Sequence, residues 1–215
     1  MKRLVTILTL AAAGFPAAHA TEPGWYLSAH GGLSELSDVS GEAAGIDGAS
    51  GRVDVSLDTG FTAGLALGKR LDARWSLELA WEYRSNDSET DIARTLRFDD
   101  GNYASNAFYL NGIYHVTVRG AWEPYVGVGI GWLQEIDIDL ENSGGEQSYT
   151  SDGDVGYQLF AGTHYNLSDR WAVNAELRYS AFTDLDLDAE GRRDGSLTGL
   201  DYEPLTLQIG VLFRF

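Results

Sequence analysis

Leu205-Thr206-Leu207-Gln208-Ile209-Gly210-Val211-Leu212-Phe213-Arg214-Phe215 alternates residue by residue. Leu205, Leu207, Ile209, Val211, Phe213 and Phe215 share one parity; Thr206, Gln208, Gly210 and Arg214 share the other, where Leu212 is the one apolar member. Successive side chains of a strand point to opposite sides, so the segment reads as a strand with one oily face. Such a strand at the end of an exported chain suggests the closing strand of a membrane barrel.

Export is read from the other end. Met1-Lys2-Arg3 is a short basic start, an apolar run follows from Leu4 to Phe15, and Ala18-His19-Ala20 is a small-x-small site. Residues 1–20 are therefore expected to be a cleaved secretory signal peptide, with the barrel domain over 21–215. The run falls short of the roughly 18 apolar residues that a membrane helix needs. The chain has no cysteine, which excludes a disulfide-stapled scaffold. Of 15 basic residues, removal of Lys2 and Arg3 leaves 13 against 32 acidic ones, a formal charge of −19. Nucleic acid is excluded as a partner on that charge, and cations are the expected company.

Working outward from the last strand, similar alternation recurs at 25–33, 61–68, 75–84, 108–116, 126–132, 157–165 and 171–179, making eight candidate strands with 205–215. Each approaches the roughly 9 to 11 residues of a tilted transmembrane strand. The connections 70–74, 117–124 and 166–170 are short, whereas 34–60, 85–103, 134–156 and 182–204 are long. That asymmetry is expected when one end of each hairpin faces the periplasm and the other faces outside. Leu71-Asp72-Ala73-Arg74-Trp75 and Leu167-Ser168-Asp169-Arg170-Trp171 echo each other before two of the strands. Trp25, Trp75, Trp171, Tyr114 and Phe215 form an expected periplasmic aromatic girdle, and Trp81, Tyr83, Trp132 and Tyr179 an outer one.

Alternation does not say which face points outward, because a soluble barrel has the same period with an oily interior. The ionised residues decide. Glu78, Glu82, Arg84, Glu176 and Arg178 share their parity with glycines, Asn111 and Gln158, and carry both signs of charge. Such a set suits a narrow polar lumen in which opposite charges pair and the oily face meets lipid. Lipid leaves no backbone group unbonded, so the first and eighth strands must pair. The expected fold is all-β: an eight-stranded antiparallel up-and-down transmembrane β-barrel with long extracellular loops and short periplasmic turns.

The chain resembles the OmpA/OmpX-type small outer-membrane barrels, including the opacity-protein-like, porin-fold surface antigens. Gly24-Trp25-Tyr26-Leu27, Leu110-Asn111-Gly112-Ile113-Tyr114, Pro124-Tyr125-Val126-Gly127-Val128-Gly129-Ile130-Gly131 and Phe213-Arg214-Phe215 carry the resemblance. It implies an integral protein of a Gram-negative outer membrane, monomeric, in contact with lipid and lipopolysaccharide and handled by the barrel-assembly machinery through its last strand. Unlike many OmpA-type members, the chain shows no peptidoglycan-binding domain after the barrel, so no cell-wall tether is expected.

Extending each strand's parity past the membrane gives a site hypothesis. With Ile136, Ile138 and Leu140 kept outward, Glu135, Asp137 and Asp139 face inward; with Leu185 and Leu187 outward, so do Asp184, Asp186 and Asp188. Asp54 and Asp58 before the second strand, and Asp152 and Asp154 before the sixth, share that sense. These carboxylates would converge on one acidic extracellular mouth able to attract cations. Asp184-x-Asp186-x-Asp188 lacks the glycine and distal glutamate of an EF-hand. His30, His115 and His164 fall on the inward parity, His30 well up its strand and the other two near the periplasmic end, so the three do not share one height and neither a metal nor another cofactor is expected. His164 and Ser168 lack the spacing of the lipid A deacylases. The expected function is a non-catalytic surface protein acting through acidic loops, against a small gated cation-preferring pore and, more remotely, a lipid A-modifying enzyme.

Overall fold

The computed structural model describes residues 23–116, 120–142, 145–190 and 194–215. The expected signal peptide at 1–20 and part of the turn 117–124 lie outside them. In chain order the strands are β1 Gly24–Glu35, β2 Val39–Ile46, β3 Ala49–Leu57, β4 Gly60–Arg70, β5 Trp75–Ile92, β6 Leu96–Phe98 and β7 Asp100–His115. They continue with β8 Trp122–Asn142, β9 Gly145–Ser151, β10 Val155–Asn166, β11 Trp171–Ala189, β12 Ser196–Tyr202 and β13 Leu205–Arg214.

Eight of these close a ring. Antiparallel pairing runs β1–β4–β5–β7–β8–β10–β11–β13, and β13 returns to β1 from Tyr26↔Arg214 to Glu35↔Leu205. Around this ring Leu27, Leu65, Leu77, Leu110, Val128, Leu159, Leu177 and Ile209 are exposed on the outer wall. The nine residues from Trp75 to Tyr83 rise roughly 3.3 Å each along the strand, and a tilt near 40° turns that path into a band of roughly 23 Å, close to an outer-membrane hydrocarbon layer.

Local chemistry explains the short turns. In the echoed pentapeptides, Asp72 Oδ1 accepts from the N–H of Arg74 and of Trp75 at 2.7 and 2.9 Å, and Ser168 Oγ accepts from the N–H of Arg170 and of Trp171 at 3.3 and 3.1 Å. Leu71 and Leu167 each donate to the carbonyl of the tryptophan four residues on. The echo is thus one side-chain-capped turn used twice.

The long connections are largely strands too, so the alternation extended past the membrane in the sequence does continue as strand. A second ring forms above the first: β5–β3–β2–β12–β11–β9–β8–β7 and back to β5. Breaks at 36–38, 58–59, 152–154 and 203–204 divide what are otherwise long strands running through both rings. The reason is that these segments bury apolar side chains. Ile46, Val53, Val55, Ile92, Phe98, Tyr103, Ile136, Ile138, Leu140, Tyr149, Leu187 and Leu197 belong to one buried cluster. At the top of the first hairpin, Asp47 and Gly48 both have positive φ, 46° and 82°, the turn whose twist matches a two-residue hairpin.

Candidate functional site

The lower ring encloses a polar lumen packed with side chains. Glycines supply the room: a Cβ at Gly68 would strike the Tyr26 ring, one at Gly127 the Phe160 ring, and one at Gly64 the imidazole of His30. The void left among Tyr26, His30, Glu78, Tyr125, Glu176 and Arg178 is about 20 Å³, room for about one water.

The structure brings Glu78, Glu82, Arg84, Glu176 and Arg178 into this space, all buried. Arg178 links two carboxylates, donating through Nη1 to Glu82 Oε2 at 3.0 Å and through Nε to Glu176 Oε1 at 2.9 Å. Arg84 also donates to Glu82, and His30 Nε2 lies 3.3 Å from the same carboxylate. Tyr26 and Asn111 donate to Glu78 at 2.9 and 3.1 Å, while Tyr125 and Gln208 donate to Glu176 at 2.9 and 2.8 Å. Glu78, Glu82, Glu176 and Arg178 have partners from other strands and Arg84 pairs along β5 with Glu82, which is what allows these charges to remain in so dry a place.

A second knot at the short-turn end went unread in the sequence. Glu123 accepts from Arg70, has His115 Nδ1 3.0 Å from its Oε1, and has Arg214 Nη2 3.7 Å from its Oε2. Ser76 Oγ lies 2.8 Å from His115 Nε2, and the His164 ring stacks 4.5 Å from that of Tyr125. Arg70, Glu123 and Arg214 all carry the inward parity of their strands, but each sits at a strand end, outside or at the margin of the runs read from sequence. His115 and His164 meet here, whereas His30 sits apart with Glu82. Ser168 caps its turn, as described above, and is no partner of His164.

The expected acidic mouth is corrected by the upper ring. Ile136, Ile138, Leu140, Leu185 and Leu187 are fully buried inside, together with Val53 and Val55. Glu135, Asp137, Asp139, Asp184, Asp186 and Asp188 consequently lie on the outer wall, as do Asp54, Asp58, Asp152 and Asp154, all exposed or only partly covered. The sense of the alternation has flipped. On β8 the register slips by one residue, Asn106 facing Glu135 while Ala107 faces Leu133, so Gln134 is an inserted bulge. On β11 the slip falls between Phe182 and Leu185, where Asp184 has φ 61°. One extra residue turns every later side chain to the opposite face. The breaks at 36–38, 58–59 and 152–154 do the same on β1/β2, β3/β4 and β9/β10.

The outcome is an acidic outer wall over an oily core. An open groove crossing β3, β5, β7, β8 and β9 is lined by Asp58, Asp87, Glu89, Asp139, Glu141 and Glu146 among others. Burial, then the neighbouring charges of Asp139, Glu135 and Glu190, push the Asp137 carboxyl up to about 6. Asp54 goes the other way: the Ser40 hydroxyl and the Arg52 guanidinium hold it below the ordinary carboxylate range.

The aromatic residues form two levels on the outer wall. Trp75–Tyr114, Trp122–Tyr165 and Trp171–Phe213 are neighbouring pairs with ring centroids 5.1, 4.9 and 4.7 Å apart, and Lys69 Nζ lies over Trp25. Phe215 stacks beside Phe213 on the same level. At the other level Tyr83 meets Phe61, Trp132 meets Phe108 and Tyr179 meets Tyr157, and Trp81 pairs in register with Phe108. Trp122 and Tyr165 were absent from the girdle read in sequence.

Among solved structures, the outer membrane protein OprG of Pseudomonas aeruginosa is similar, at TM-score 0.66 and 17% identity over 91% of this chain and 98% of that one. Neisserial surface protein A is similar at TM-score 0.52 and 15% identity, covering 89% of this chain and 97% of that one. At these identities the likeness shows the fold. A sequence relative, the uncharacterized outer-membrane protein y4mB of Sinorhizobium fredii (strain NBRC 101917 / NGR234), is 29% identical over 103 residues, 47% of this chain. That match spans 44% of the relative's own length. The family model for the outer membrane protein beta-barrel domain matches residues 4–215. With its closed ring, oily outer band and filled polar lumen, the chain belongs to the outer membrane protein beta-barrel domain family and is an integral protein of the Gram-negative outer membrane.

Proposed function

We propose that the protein is a non-conducting, non-catalytic surface scaffold: the lower ring anchors it, and the upper ring holds a rigid acidic wall outside the membrane for cationic partners or for divalent bridges to lipopolysaccharide. The observation that carries this reading is the double seal along the barrel axis. The charge network around Arg178 leaves about 20 Å³ free, and above it the rings of Tyr109, Phe182, Tyr202 and Tyr103 pack in a chain, with centroids 6.2, 6.4 and 5.1 Å apart, within the oily core of the upper ring. A hydrated ion crossing this path would have to break buried ion pairs and then traverse an apolar plug, each step costing several kcal/mol. The two aromatic levels serve as girdles at the membrane surfaces.

The barrel-assembly machinery would engage β13. Planar-bilayer recording of the purified protein tests the proposal. The expected trace shows no unitary conductance at moderate voltage, and stable cation-selective openings that disappear on neutralising Asp137 and Asp139 would favour the pore instead. Release of acyl chains from lipid A by the same preparation would establish an enzyme.

A further inference from the structure

The knot at the short-turn end holds ligand chemistry that surface display does not use. His115 on β7, Glu123 on β8 and His164 on β10 come from three adjacent strands, with His164 in register with Glu123. One potential ligand atom from each lies within 4.8 Å of the others. Glu123 is wholly buried, and His115 and His164 are 4% and 7% exposed. Yet His164 Nδ1 has no hydrogen-bond partner among the described residues, while His115 Nδ1 and Glu123 Oε2 have only the ionic contacts at 3.0 and 3.7 Å. A buried ring nitrogen without a partner, facing a carboxylate and a second imidazole across so small a space, is costly.

Second neighbours sharpen the point. When the Nε2–H of His115 donates to Ser76 Oγ, 2.8 Å away, Nδ1 keeps its lone pair and directs it at a carboxylate oxygen 3.0 Å distant. In that tautomer a cation is what lies between the two electron-rich atoms; in the other, Ser76 donates to Nε2 and the Nδ1–H donates to Glu123, a proton that a metal ion would displace. Ser76 is then the partner that fixes tautomer and ring orientation, the arrangement usual for ligating histidines. We infer that His115, His164 and Glu123 form a binding site for a borderline divalent transition metal of the zinc class. Two imidazoles and one carboxylate are a donor set suited to such ions, and they leave a fourth position for water. Arg70 and Arg214 beside Glu123 oppose a dication, which places the expected affinity at about micromolar rather than in the range of structural zinc. His30, held by Glu82, takes no part.

The test uses untagged protein folded in detergent micelles, with excess Mg²⁺ to occupy the outer-wall carboxylates. Competition with a chromophoric chelator is expected to give one Zn²⁺ per chain. His115→Asn and His164→Asn should each weaken binding by roughly tenfold or more, and His30→Asn should leave it unchanged; a heat-modifiable compact band verifies that each variant is folded. Independently of any variant, Co²⁺ added to the native protein should give the intense visible absorption of low-coordinate imidazole ligation. Absence of competitive Zn²⁺ binding, equal binding by the His115→Asn/His164→Asn double variant, or a weak all-oxygen octahedral Co²⁺ spectrum would overturn the site.

Discussion

Asp137 and Glu82 show how the same side-chain chemistry behaves on the two faces of the wall. Asp137 lies half-buried outside among Asp139, Glu135 and Glu190, and its carboxyl is pushed up to about 6. Because the folded chain holds this proton more tightly than the unfolded chain, the contribution to stability is complete below about pH 4 and is lost as pH rises through about 6. Asp137→Asn should therefore raise the unfolding free energy obtained from urea titration at pH 7 by on the order of 1 kcal/mol once solvent screening is allowed for, and leave it unchanged at pH 4. Glu82 is buried between Arg84 and Arg178. Glu82→Gln strands two guanidiniums and should cost about 3–5 kcal/mol in micelle unfolding, with part recovered in Glu82→Gln/Arg178→Met. The inward parity of both network arginines and glutamates was legible in the sequence. Glu123 was not, because it precedes the run at 126–132 by three residues, although the parity of Tyr125 carries it inside.

At the scale of the strand, lipid makes the alternation easy to read and water makes it ambiguous. Trp75, Leu77, Leu79, Trp81 and Tyr83 must all face hydrocarbon, so the pattern and its sense agree. Beyond the membrane the sense has no external reference, and carrying it forward from Trp132 put Ile138 on the wrong side. The correction was nevertheless written in the chain. Gln134-Glu135 between Leu133 and Ile136, and Thr183-Asp184 between Phe182 and Leu185, are two-residue polar steps in a period-two pattern, the trace that a bulge leaves. Deleting Gln134 should remove the bulge, leave Asn106 opposite Glu135 and Ala107 opposite Leu133 on a regular ladder, and keep Ile136, Ile138 and Leu140 inside. The expected product stays protease-resistant through both rings in limited proteolysis. Rapid cleavage confined to the upper ring would mean that Gln134 is not the inserted residue.

Across the whole molecule, two stacked eight-strand rings share strands but invert their insides: polar within lipid, oily within water. Each ring turns its apolar surface away from the aqueous phase, so one rule of burial gives both halves. The upper ring's core also explains how glycine- and aspartate-rich segments hold strands so far from the membrane. The chain contains no cysteine, which makes single substitutions directly readable by thiol chemistry. The decisive measurement is labelling of Ile138→Cys and Asp139→Cys on intact cells with a membrane-impermeant maleimide. Rapid labelling at 139 with protection at 138 is the predicted result; protection at 139 with labelling at 138 would place the carboxylates inside and contradict the inverted upper barrel.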